Sequence, residues 1–109
     1  MEHLKIAIAD DNQKILDLLD RVIGMEKDMN LVGKAKNGEE MCQIIKDKQP
    51  DVVLLDLIMP KMDGLTVMDR INHDKTVSKH PYFIVITAVG QQETLRRHLK
   101  TEEKVWRHE

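Results

Sequence analysis

Residues Asp51-Val-Val-Leu-Leu-Asp56 hold four consecutive apolar side chains between two aspartates, directly after Gln49-Pro50. A strand exposed on one face alternates apolar with polar residues, and this one does not. It therefore needs cover on both sides, as in the middle of a parallel sheet flanked by helices. The proline ends whatever helix precedes it, because the residue before proline disfavours helical geometry. This segment thus excludes an open, half-solvated sheet and points to layered α/β architecture.

The neighbouring segments agree. Leu4-Lys-Ile-Ala-Ile-Ala9 is a second short apolar run that breaks off at Asp10-Asp11-Asn12, a buried strand running into an acidic loop. Asn12 is suited to cap the helix that follows. Residues 13–25 carry Ile15, Leu16, Leu18, Leu19, Val22 and Ile23, a broad apolar helical face. A weaker strand spans Asn30 to Ala35. Asn37-Gly38-Glu39-Glu40 turns into another helix with acid in its first turn, directing Met41, Ile44 and Ile45 to the core. Pro60 to Gly64 is a loop, Leu65 to Ile71 a third helix, Phe83 to Ile86 a fourth strand ending at Thr87-Ala88, and Gln91 to Leu99 a fourth helix. Strands alternating with helices over short connections predict a doubly wound α/β domain with a parallel sheet.

With 109 residues the chain suits one compact domain of the common size, roughly 100–150 residues. Its 41% apolar and 33% charged residues suit a folded globular domain. A net charge of −2 and the lack of a basic stripe before residue 96 count against nucleic-acid binding by this domain. No apolar run approaches the ~18 residues of a membrane span, and the start lacks a signal-peptide layout. Cys42 is the single cysteine, so no internal disulfide forms, and it reads as a small apolar residue on a helix. These features favour the cytoplasm and no membrane partner.

Asp10 and Asp11 follow the first strand and Asp56 ends the third. Ligands of open α/β sheets bind beyond the carboxyl ends of the strands, where strand order reverses. For an order 2-1-3-4-5 that point lies between strands one and three, which would unite the three carboxylates. Clustered carboxylates repel, so they need a counter-charge or take up protons. Magnesium, which prefers oxygen ligands and keeps several waters, answers that need. A carboxylate is also a competent nucleophile for a phosphoryl group. Thr87, at the end of the fourth strand, offers a hydroxyl to a phosphate oxygen, or is an ordinary β-branched strand residue. Ala88 leaves room beside Asp56. Gly64 supplies a backbone angle closed to other residues, or simply begins the next helix. His3, His73, His80, His98 and His108 have no metal-ligand spacing and read as surface residues.

Three pieces together, Ile6-Ala-Ile-Ala-Asp-Asp-Asn12, Asp51-Val-Val-Leu-Leu-Asp-Leu-Ile-Met-Pro-Lys-Met-Asp-Gly64 and Ile84-Val-Ile-Thr-Ala88, resemble the receiver domain of two-component response regulators. The likeness covers about residues 3 to 95. Within the family, these motifs and Thr87-Ala-Val-Gly-Gln91 are most similar to the sporulation master regulators of spore-forming Firmicutes. The resemblance implies a flavodoxin-like fold with strand order 2-1-3-4-5. It makes Asp56 the phosphoacceptor and Thr87 a switch hydroxyl. Asp11, Asp56 and the backbone carbonyl of Ile58 would ligate Mg2+, with Asp10 acting through a metal-bound water. A histidine kinase or phosphotransfer protein would donate the phosphate. DNA would be reached only through an output domain that this sequence does not contain.

The C-terminal stretch departs from the pattern. The family's fifth strand, Lys-Pro pair and fifth helix have no counterpart in residues 95–109, where Lys100 and Lys104 read as solvated charges. The expected division is a receiver core over 1–94 and an atypical charged segment over 95–109, whether by truncation, frameshift or design. A sheet lacking its last strand would expose an edge and favour a homodimer. Two other functions remain in view. A signalling-impaired receiver would serve as an interaction module. A metal-dependent phosphatase of the haloacid-dehalogenase type wants a second acid two residues after its nucleophile, where this chain has Ile58.

Overall fold

A computed structural model of the chain describes residues 3–86. Among them the order is β1 (Leu4–Ala9), α1 (Gln13–Gly24), β2 (Met29–Ala35), α2 (Gly38–Lys48), β3 (Val52–Asp56), α3 (Gly64–His73) and β4 (Tyr82–Ile86). The four strands form one parallel sheet in the order β2-β1-β3-β4. This is the flavodoxin-like arrangement that the sequence predicts, and helix and strand limits agree to within a residue or two. The expectations for a fourth helix, a fifth strand and a fifth helix lie outside the described residues.

Each helix starts on a side chain suited to the task. Asn12, Asn37 and Asp63 adopt extended backbone and accept from the N–H groups of Lys14, Glu40 and Thr66, satisfying donors that the first helical turn leaves unpaired. Helix α2 ends at Gln49, which turns left-handed with φ 49° just before Pro50.

The two faces of the sheet are covered unequally. On one face Met41, Cys42 and Ile45 of α2 and Val67, Met68 and Ile71 of α3 pack with Ala7, Ala9, Val53, Leu55, Phe83 and Val85. On the other, Leu16 and Ile23 of α1 pack on Ile6 and Ile8, with Val52 and Leu54 only partly buried beside them. Helix α1 lies over β1 and β2. At the amino ends of the strands Asp51 accepts from the Lys5 N–H at 2.7 Å and from the Lys79 ammonium, which holds its carboxyl below the usual range.

Strand β3 is the keystone of the sheet, paired on both sides by β1 and β4. Leu55 on it is 0% exposed. Truncating it leaves a cavity that packed neighbours cannot close, so Leu55→Ala should destabilise the fold by about 2–5 kcal/mol, read from the midpoint of urea unfolding.

Candidate functional site

The strand order brings the acidic residues together. Strand β1 lies beside β3 with Ala9 in register with Leu55, so the chain following β1 and the end of β3 emerge at the same place. Carboxylate oxygens of Asp10, Asp11 and Asp56 come within 4.8 Å of one another. Asp10 and Asp56 are buried, at 8% and 9% exposure, while Asp11 faces solvent. The sequence expectation that these three carboxylates converge holds.

Local hydrogen bonds fix the cluster. The Asp10 backbone N–H donates to the Ala35 carbonyl at 3.0 Å, tying the loop after β1 to the end of β2. The Asp10 carboxylate accepts from the Asn12 N–H at 2.9 Å, and Asn12 in turn caps α1. The Ile58 N–H points at Asp56 Oδ1 from 3.4 Å, a long contact that still aims a partial positive charge at the carboxylate. Burial raises the Asp10 carboxyl above its ordinary value, and the neighbouring Asp11 adds to this, while the Asn12 N–H works against it.

The donor set suits a hard divalent cation. It consists of oxygen atoms only, it carries excess negative charge, and one of its carboxylates is exposed while two are buried. Magnesium chemistry asks for one or two carboxylates and open positions for water.

The loop after β3 differs from expectation in one respect. Gly64 does not use a special backbone angle; among the described residues no glycine has positive φ. Gly64 begins α3, and its lack of a side chain serves close approach. A Cβ there would lie 2.5 Å from the Asp56 carbonyl oxygen, and the Gly64 N–H donates to the Leu57 carbonyl at 2.8 Å. The left-handed residue of this loop is Lys61, with φ 67°, which nothing in its residue type announces. Ile58 is 53% exposed at the rim of the site. Cys42 is buried on α2, as read from the sequence, and His3, His73 and His80 are exposed. Thr87 and Ala88 lie outside the described residues, as do Lys100, Lys104, His98 and His108. The register does pair Ile86, the last residue of β4, with Asp56.

The profile of the response regulator receiver domain family matches residues 6–104, and the chain belongs to that family. Solved structures agree. The receiver domain of the putative response regulator NarL from Mycobacterium tuberculosis superimposes with a TM-score of 0.83 at 24% identity, over 98% of this chain and 84% of that one. The receiver domain of AraT from Geobacillus stearothermophilus gives a TM-score of 0.78 at 29% identity, over 94% and 78%. The CheX–CheY complex with beryllium trifluoride and magnesium from Borrelia burgdorferi gives 0.75 at 26%, over 97% and 78%. As a receiver domain the chain is a signalling domain of two-component systems, a family that binds Mg2+ through acidic residues and works with kinases or phosphotransfer proteins. Among the described residues no helix is long and apolar enough to cross a membrane.

The raised Asp10 carboxyl sets a pH dependence. The folded state holds this proton more tightly than the unfolded chain, so stability falls as pH rises from the ordinary carboxylate value through the raised folded one. Asp10→Asn keeps the acceptor for Asn12 and removes the charge. In EDTA at neutral pH it should melt several degrees above the parent protein, with the gap closing below the carboxylate range. Thermal unfolding followed by circular dichroism across pH checks this.

Proposed function

We propose that this chain is a phosphorylation-controlled switch in which Asp56 accepts a phosphoryl group from a histidine kinase or phosphotransfer protein. The convergence of Asp10, Asp11 and Asp56 at the carboxyl ends of β1 and β3 carries this reading. Asp11, Asp56 and the carbonyl of Ile58 would hold Mg2+ directly, and Asp10 through a bound water. Magnesium, when present, supplies positive charge against the incoming phosphate.

The chain's own residues do the rest. The Asp56 carboxylate attacks phosphorus in line with the phosphohistidine nitrogen; the new P–O bond forms as the P–N bond breaks, leaving an acyl phosphate. Burial of Asp56 limits the water that reaches the product. The Ile58 N–H lies toward the Asp56 oxygen that stays unmodified or becomes the bridging atom. In this reading Thr87 donates its hydroxyl to the phosphate as the switch residue, and the small Ala88 leaves space for it.

The wider setting rests on motif similarity. Likeness to sporulation master regulators supports a cytoplasmic role in transcriptional control, through a DNA-binding output domain beyond this sequence. A homodimer through the sheet edge beside β4 would complete the partners. A monomer mass independent of concentration in light scattering removes that part of the reading.

The acceptor itself is tested by intact mass after incubation with acetyl phosphate and magnesium. The expected result is one added phosphoryl group, absent in Asp56→Asn and in EDTA. No addition in a folded, magnesium-binding protein would leave an interaction module instead.

A further inference from the structure

The loop that joins β3 to α3 contains a sterically costly turn. The Met62 N–H donates to the Pro60 carbonyl at 2.7 Å, closing a three-residue turn around Lys61 at φ 67°. Turns of this hand are rare, and a residue other than glycine at their centre is strained. Such strain persists only where surrounding structure enforces it.

The residue that closes this turn, Met62, packs against α2. Gly38, the first residue of that helix, has no side chain where a Cβ would stand 2.2 Å from the Met62 carbonyl oxygen and 2.7 Å from the Met62 Cβ. Four residues on, and therefore on the same face of the helix, Cys42 places its Sγ 3.7 Å from Met62 Sδ. Cys42 and Met62 are both buried, at 7% and 8% exposure. One helix face thus meets both the backbone and the side chain of a single loop residue. At the far end of the loop, Gly64 abuts the Asp56 carbonyl. Asp56 and Ile58 belong to the segment strung between these two anchor points.

We propose that α2 is a positioning device for the phosphoacceptor loop, with Gly38 and Cys42 gripping Met62 so that Asp56 and Ile58 are held in the shape that binds the cation. The assignment rests on the magnesium reading given above. Both α2 residues meet the loop at Met62, so both act through it. The Gly38 contact is to backbone, which cannot swing aside as a side-chain tip can. A Cβ added at Gly38 must push that backbone away, and a displacement of about 1 Å commonly costs on the order of 100-fold where geometry matters.

The test is calorimetric titration of MgCl2 into the metal-free protein, beside thermal melting in EDTA. Gly38→Ala should weaken magnesium binding by about 10-fold or more, as loss of support behind metal ligands typically does. Its phosphoryl uptake from acetyl phosphate should recover as magnesium is raised to saturation. Cys42→Ala should weaken binding less, in the same direction. Gly24→Ala, with open space at its Cβ, should leave the magnesium affinity alone while melting no lower than the parent. Ile23→Val, in the separate core under α1, should lower the melting temperature and leave the magnesium affinity alone. Parental affinity in Gly38→Ala, whatever its melting temperature, would reduce the contact to ordinary packing and overturn the proposal. If that variant does not fold, parental affinity in Cys42→Ala does the same. A parent protein that binds no magnesium would instead bring down the metal reading, and this proposal with it.

Discussion

Three carboxylates whose oxygens lie within 4.8 Å of one another repel, and the rest of this structure is arranged to hold them there. Asp10, Asp11 and Asp56 converge because β1 and β3 are hydrogen-bonded neighbours although α1, β2 and α2 separate them in sequence. Burial of Asp10 and Asp56 sharpens the repulsion by removing water that would screen it. The folded core supplies the free energy that keeps the carboxylates together.

The unequal covering of the sheet fits that task. The face under α2 and α3 is the larger core; α3 follows directly from the loop after Asp56, while α2 precedes the strand that ends at Asp56. Its packing carries side chains from the loop after Asp56 itself, Leu57, Met59 and Met62. The loop is consequently a part of the core rather than a surface connection, which accounts for a left-handed lysine being sustained within it.

Family membership and site geometry answer different questions here. The profile match and the neighbouring structures establish a receiver domain. The carboxylate cluster shows that this chain keeps the acidic apparatus such a domain uses. Fold alone carries no function; the two observations together do, because the acids sit at the switch point where the sheet's strand order reverses.

Much of this was legible in the chain. The uninterrupted apolar run before Asp56 required a strand covered on both faces, and Asn12 stood where a helix cap was needed. Local chemistry determines such features, since a strand's burial pattern and a cap's side-chain oxygen depend on a few adjacent residues. The acidic positions were readable for the same reason, each falling at the end of an apolar run. What only the tertiary structure decided involves residues far apart in sequence. No periodicity announces that Gly38 must be bare because Met62 lies against it, that Gly64 is small to admit the Asp56 carbonyl, or that Lys61 takes the left-handed turn. Those are consequences of two backbones meeting, and a contact between distant segments leaves no mark on either segment alone.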